Sequence, residues 1–401
     1  MAACVLLTGC GALPFLGGDS TGTATFHGPV KVALVDVLSG TSPYATLGTY
    51  LQNSAQLQVD ALNAQGGVLG MQVQLVPVDD KLDPATTATV VRQAVADRSV
   101  RLVIGPSLAG LYVGVRPLVT QAKVPNCLPN MAADDLMVNN RYAFRAHAQD
   151  HANVPTLLAY LQKANVAKKI GLIAENDGIG QDRDSQLSGQ AARFGLQYVG
   201  AAFVPPTGDQ KAQVQQLLKV NADAVILSDN WGTAAKTLQA ISALKATTKL
   251  KTLGFSGLSG YGFPAAAGDG ANGLMFVSPT LTYLSDLPEA RWPAVYHDFV
   301  KKAQAKFGAA PNGVEMKATP TAAACVADWA RAVQAAGTLD GTAVAKAWER
   351  LDVPAAQSLL GVREHFAPDV HDAVPLDGLG VYQWAKTGDR WALHQLVGPT
   401  A

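Results

Sequence analysis

No uninterrupted run of about 18 apolar residues occurs in the chain, so nothing in it reads as a membrane-spanning helix, although 48% of its 401 residues are hydrophobic. Charge of neither sign is in excess. Lysine plus arginine and aspartate plus glutamate number 31 each, which removes the electrostatic case for nucleic acid or an anionic membrane surface as partner. Charged residues make up only 15%, and neither end carries an acidic or basic tail. Cysteine is scarce. Of the four, Cys4 and Cys10 lie near the N-terminus, while Cys127 falls in a predicted strand and Cys325 in a predicted helix. Neither of the latter has a partner nearby in sequence or a metal-ligand spacing, so the default reading is two buried, inert thiols.

Signatures of catalysis are missing too. No HExxH, GxSxG, Walker A or CxxC pattern accompanies the seven histidines. His147 and His151 are four apart, but Asn153 reads as a helix start, so the pair straddles a strand end and a cap rather than one helical face. Arg363-Glu364-His365 and Asp369-Val370-His371-Asp372 read as polar turns and strand edges. Gly178-Ile179-Gly180 lacks the third glycine of a dinucleotide fingerprint. These absences predict no enzyme, no cofactor and no metal.

What is present is β-α alternation, in a chain long enough for two domains. Lys31 to Leu38 is a short apolar run rich in β-branched residues, closed by the turn Ser39-Gly40-Thr41-Ser42-Pro43. After Gly48 the residues Leu51, Ala55, Leu57, Val59, Ala61 and Leu62 predict a helix that ends at Gly66-Gly67. Gln72 to Val78 is the next strand, and Asp83-Pro84 opens the next helix. The alternation runs through strands at Val100–Gly105 and Val124–Leu128, restarts after Asn153 through Lys168–Ala174, Val199–Val204, Ala222–Leu227, Thr252–Phe255 and Gly273–Val277, and ends in helices and a hairpin at Gly380–Trp384 and Trp391–Val397. Such alternation predicts parallel, doubly wound sheets with loops at the strand carboxyl ends lining a crevice.

The series SG…G…NAQGGVLG…VQLVPVDDKLDP, followed by VIGP, YAFR and GVYQW, resembles the leucine/isoleucine/valine-binding protein family, the type I periplasmic solute receptors of ABC importers, over nearly everything after Pro29. The resemblance implies an α/β fold of two Rossmann-like doubly wound lobes joined by a three-crossing hinge, with crossings near Ala146, Ser278 and Gly380. It implies residues 1–28 as lipoprotein signal and tether, 29–146 plus 279–379 as lobe 1, and 147–278 plus 380–401 as lobe 2. Leu7-Thr8-Gly9-Cys10 matches the bacterial lipobox, with Cys10 the lipidated residue and a Gly/Ser/Thr-rich stretch from Gly17 to Gly28 as tether. The expected protein is a monomeric receptor, anchored by lipid at the outer face of a bacterial membrane, that passes a solute to importer permease subunits. A ligand-sensing domain of a regulatory system is the alternative class.

By the same resemblance the solute carboxylate is held by the loops at Gly105–Gly110 and Pro129–Ala133, and an α-ammonium by an acid in the loop at Leu253–Leu258. This chain departs from that pattern. Ala109 stands at the usual serine, Asn130 and Ala132 at the usual small residue and threonine, and Ser256 at the usual glutamate. Ile179 replaces a tyrosine, Asn230-Trp231 replaces a Tyr-Gly or tyrosine pair, and the longer loop from Ser39 to Gly48 brings Pro43 and Tyr44. Some relatives carry a disulfide at the positions of Leu82 and Leu108, where an apolar contact is expected instead. The expected pocket holds Tyr44, Leu47, Tyr112, Met131, Ile179 and Trp231, of which Tyr112 and Met131 read at least as readily as space fillers between strand ends, around Ser107, Asn130, His147, Asn230 and Ser256. A buried ammonium without a counter-charge costs several kcal/mol, so the lost acid points to a carboxylate or an amide. An amino acid stays open through Asp229.

Overall fold

The computed structural model describes residues 28–131, 133–205, 208–227, 230–260, 262–279, 289–308 and 319–398. In chain order come β1 (Val30–Asp36), α1 (Pro43–Ala64), β2 (Val73–Asp79), α2 (Pro84–Ala96), β3 (Val100–Ile104), α3 (Ala109–Ala122), β4 (Asn126–Leu128) and β5 (Ala143–Ala148). A second series follows: α4 (Asn153–Ala164), β6 (Lys169–Glu175), α5 (Gly178–Gln190), β7 (Gln197–Val204), α6 (Lys211–Lys219), β8 (Ala224–Leu227), α7 (Trp231–Ala243), β9 (Lys251–Gly254), α8 (Gly262–Ala267) and β10 (Met275–Pro279). The chain ends with α9 (Ala294–Phe307), α10 (Pro320–Ala336), α11 (Gly341–Trp348), the short strands β11 (Asp352–Val353), β12 (Glu364–His365) and β13 (Asp372–Val374), and the hairpin β14 (Leu379–Thr387) and β15 (Arg390–Val397).

Two sheets form. The first has the order β13-β5-β4-β3-β1-β2, with every pairing parallel. The second has the order β15-β14-β10-β9-β8-β6-β7, parallel except where β14 meets β10 and β15. The central strands are buried nearly throughout, which is why they read as unbroken apolar runs rather than alternations. Pro77 lies in β2 at an edge, where its missing N–H breaks no ladder. Between β5 and β6, β10 and β13, and β13 and β14 the chain passes from one sheet to the other. The main core cluster runs through β5 at Phe144, Ala146 and Ala148 and reaches both sheets.

Local chemistry sets the element ends. Asp83 caps α2 by accepting from the Thr86 N–H at 2.7 Å. α1 begins at Pro43 rather than after Gly48 because proline at the first position is pre-set for helix. Tyr44 and Leu47 therefore stand on a helix and not on a loop. At Gly48 a Cβ would lie 2.1 Å from the Val37 carbonyl, so only glycine lets α1 pass this close to the end of β1.

The two interior cysteines are not free thiols. Cys127 of β4 and Cys325 of α10 form a disulfide with Cα atoms 5.7 Å apart, because α10 packs across the first sheet over β4. A separation of 198 residues hid the pairing from any reading of local spacing. The positions that relatives bridge behave otherwise: Leu82 is 40% exposed with φ 59°, and Leu108 is half-buried. Cys127→Ala/Cys325→Ala should lower unfolding stability by about 2–4 kcal/mol. Thiol titration of the denatured, unreduced protein lacking residues 1–28 should find no free cysteine, and two free thiols would refute the bridge.

Candidate functional site

The parallel strands of each sheet end together, and the predicted site residues gather on the segments that leave those ends. On the first sheet these are the turns after β1, β3 and β4; on the second, those after β6, β8 and β9.

On the first wall, Gly105 (φ 87°) crosses the end of β1 so closely that a Cβ would sit 2.2 Å from the Val35 carbonyl. This approach drops Ser107 onto Asp36, the last residue of β1, and the Ser107 hydroxyl donates to the Asp36 carboxylate at 2.5 Å. Asp36 also accepts from the Val37 N–H at 2.9 Å. Both side chains are buried, Asp36 at 3% and Ser107 at 4% exposure. Burial, reinforced by the charge of Asp80, pushes the Asp36 carboxyl up to about 7 against the hydrogen bonds from Ser107 and Val37. Ala109 opens α3, whose N-terminus has no side-chain cap. Asn130 is half-buried beyond β4. Tyr112 and Met131 are core residues of this lobe, with the Tyr112 hydroxyl accepting from Asn140 at 2.7 Å. Ala132 lies outside the described residues.

On the second wall, Ile179 is 58% exposed on the first turn of α5, whose start is capped by Asp177 accepting from Gly180 N–H at 2.8 Å. Asn230 caps α7, accepting from Gly232 N–H at 2.9 Å and Thr233 N–H at 3.2 Å. It borders an open cleft of about 940 Å³ shared with Glu175, Asn176, Gly232 and Lys236. Ser256 sits half-buried in the turn Ser256–Leu258. Asp229 lies outside the described residues.

Trp231, expected in the pocket, also enters the core of its lobe. Its indole N–H donates to the Gly257 carbonyl, its ring meets Phe263 edge-on at 6.0 Å, and it packs against the second core cluster. Gly260 and Gly262 leave room for it, since a Cβ on either would meet the indole within 3.1 Å. Trp231 therefore holds the segment that carries Ser256.

Of the remaining expected residues, Tyr44 is 39% exposed on α1, and Leu47 packs partly against the main core. His147 is buried in β5 with Nδ1 donating to the Ala148 carbonyl at 3.1 Å. Burial, aided by the neighbouring Arg145 charge, holds its pKa down despite that bond. The histidine is a neutral element of the crossing.

Sequence reasoning missed Asp36, Glu175, Arg183 and Phe255. The signal for Asp36 was a lone carboxylate ending an apolar strand. Arg183 is 4% exposed, donates to Asp150 at 2.5 Å, and its guanidinium lies 4.2 Å over the Phe255 ring. Arg183, Phe255, Glu175 and Ile179 line one small cavity under the second wall. At the crossing, Arg145 (1% exposed) donates to Asp372 at 2.5 Å and to Asp134 at 2.8 Å. Burial alone would raise the Asp134 pKa, but Arg145 and the N–H groups of His151 and Asp150 together hold it down.

Two mostly parallel sheets, with the chain passing between them three times, define a two-lobed α/β architecture. The family model described as periplasmic binding protein matches residues 29–389, and the chain belongs to that family. Its members are solute-binding receptors rather than enzymes, and they work outside the cytoplasm. Among similar proteins, the Leu/Ile/Val-binding protein BraC3 of Rhizobium johnstonii is 25% identical over 257 residues, 63% of this chain and 68% of the relative. A periplasmic binding protein type 1 from Bordetella pertussis Tohama I superposes with a TM-score of 0.77 at 20% identity, covering 92% of this chain and all of that one. A solute-binding protein of an R. palustris ABC transporter, solved with 4-hydroxybenzoate, gives a TM-score of 0.74 at 18% identity over 92% of this chain and 96% of that one.

Breaking the buried Arg145 pairs strands a charge. Arg145→Gln should therefore cost about 3–5 kcal/mol of stability, whereas Lys31→Gln, which breaks the exposed pair with Asp97, should cost less than about 1 kcal/mol. Urea unfolding of both variants measures the difference, and equal costs would contradict the structural role given to Arg145.

Proposed function

We propose that this chain is the receptor that captures a small aromatic or aliphatic carboxylate, or an amide, between its lobes and delivers it to the permease subunits of an ABC importer. The lobes are residues 29–146 with 279–379 and 147–278 with 380–401. The protein acts as a monomer, tethered through residues 1–28 by a lipid on Cys10. That leader lies outside the described residues, and the lipobox carries this part of the reading.

The observation that carries the solute class is Ser256. The half-buried turn after β9 offers a hydroxyl where an acid would neutralise an α-ammonium. A serine donates to or accepts from a carboxylate or an amide but cannot balance a buried cation. The R. palustris neighbour of the same fold, solved with 4-hydroxybenzoate, supports the carboxylate reading. A second reading, an α-amino acid, is favoured by Glu175 on the cleft and by the Leu/Ile/Val-binding relatives.

A thermal-shift screen of organic acids, amides and amino acids separates the two. A solute present at 100 times its Kd stabilises the folded form by about 2.7 kcal/mol. Carboxylates or amides should raise the Tm and their matching α-amino acids should not, and Ser256→Glu should reverse that preference. Micromolar binding of leucine, isoleucine or valine without binding of carboxylates or amides would overturn the solute class. Cys10→Ala in the full chain should move the protein from the membrane to the soluble fraction, and unchanged fractionation would remove the anchor.

A further inference from the structure

We propose that Asp36 and Ser107 form a proton-gated anion subsite on the first wall, admitting a solute carboxylate when Asp36 is protonated and excluding it when Asp36 is ionised. The inference rests on the carboxylate reading above and assigns it a residue and a pH dependence.

The argument begins with where the serine proton goes. With Asp36 ionised, the Ser107 hydroxyl donates to it across 2.5 Å, and the serine offers an incoming anion only lone pairs. With Asp36 protonated, the carboxylic O–H donates to Ser107 Oγ instead. The serine proton is then released to point at a solute carboxylate, beside the uncapped N-terminus of α3 at Ala109 and Gly110. The two states differ by one proton on Asp36, taken from water, and by the direction of one hydrogen bond. The ionised state also opposes an anion by its own charge, at a buried position where solvent screens little.

Beyond the hydrogen bonds from Ser107 and Val37, no positive charge offsets Asp36 among the described residues. Asp80, at the end of β2, is buried, and its negative charge opposes Asp36 ionisation, while its own pKa is raised by burial. Asp79 beside it turns away, accepting from the Leu38 N–H and the Ser39 hydroxyl. The loop after β3 contributes Ser107, and the first turn of α1 contributes Tyr44, which is exposed. No cation is among the groups that shift Asp36, whose carboxyl is pushed up to about 7, inside the range where the gate would operate.

The test uses the protein lacking residues 1–28, with 4-hydroxybenzoate, benzoate and 4-methylpentanoate as carboxylate probes, their primary amides, and leucine. Affinities are measured by calorimetry at pH 5.5 and 8.5 for the natural protein and Asp36→Asn. Carbon-13 NMR follows the Asp36 carboxyl in the ligand-free natural protein. With a midpoint near 7, the competent fraction falls about thirtyfold between these two pH values, and the carboxylate Kd should rise by that factor. Amide affinity should stay flat, and Asp36→Asn, which keeps a donor toward Ser107, should abolish the pH dependence. An Asp36 midpoint below pH 5 overturns the gate. So does a carboxylate Kd that is the same at both pH values, or one that varies equally in Asp36→Asn. If the amides bind and no carboxylate does, even to Asp36→Asn at pH 5.5, the gate is wrong while the solute reading survives through its amide arm. If leucine alone binds, and more tightly at pH 8.5, Asp36 is an ammonium partner, and both the gate and the solute class fail.

Discussion

A guanidinium with almost no access to water lies where the chain first leaves the first sheet, and the rest of the structure depends on how Arg145 is neutralised. Removing a cation from water costs several kcal/mol even after relaxation, so its two carboxylate partners are a condition of the fold. Asp372 reaches Arg145 from β13, the strand laid beside β5 before the last passage, and Asp134 reaches it from the segment after β4. Asp134 also accepts from the backbone of Asp150 and His151, which fixes the turn into α4. Asp150 in turn holds Arg183, and Arg183 stacks on Phe255, the residue before Ser256. A line of ion pairs and backbone hydrogen bonds thus runs from the C-terminal return of the first sheet to the wall of the second. Its two guanidiniums, Arg145 and Arg183, are the buried members, and losing their carboxylates would leave a charge uncompensated.

That line has a consequence for the site. The polar groups on the second wall are largely committed: Asp177 and Asn230 spend their acceptors on helix starts, and Arg183 spends donors on Asp150. On the first wall, α3 begins without a side-chain cap, and among the described residues the Ser107 hydroxyl is engaged with Asp36. The first wall thus offers the Ser107 hydroxyl and the uncapped start of α3, while the second sets Lys236, Glu175 and Asn176 around its cleft and the apolar Ile179 beside them.

Much of the fold was legible because parallel strands buried on both faces announce themselves as apolar runs, and because Asp83-Pro84 and Gly66-Gly67 mark helix ends by local chemistry. What stayed hidden depends on residues far apart in the chain. The start of α1 was misread because Ser39 to Gly48 is rich in turn formers, and Pro43 serves a helix start as readily as a turn. The Cys127–Cys325 bridge required knowing that α10 crosses β4. Trp231 follows the polar Ser228, Asp229 and Asn230 in sequence, and the glycines at 260 and 262, some thirty positions on, show what receives it. Asp36 was visible as a carboxylate but not as a buried one, since its burial comes from a loop seventy residues later.

Asp36 also shows how stability and binding pull against each other at this wall. A carboxyl whose folded pKa lies above its unfolded value binds its proton more tightly in the native state, so its contribution favours folding less as pH rises from about 4 toward 7. Above that range the native state carries the full cost of a buried anion that the Ser107 hydroxyl and the backbone N–H groups of Val37 and Ser107 only partly offset. A threonine or valine would close β1 without the penalty. A group that destabilises the fold at neutral pH, buried at the end of β1 against the Ser107 hydroxyl, is better explained by what it does to that hydroxyl than by what it does for the core.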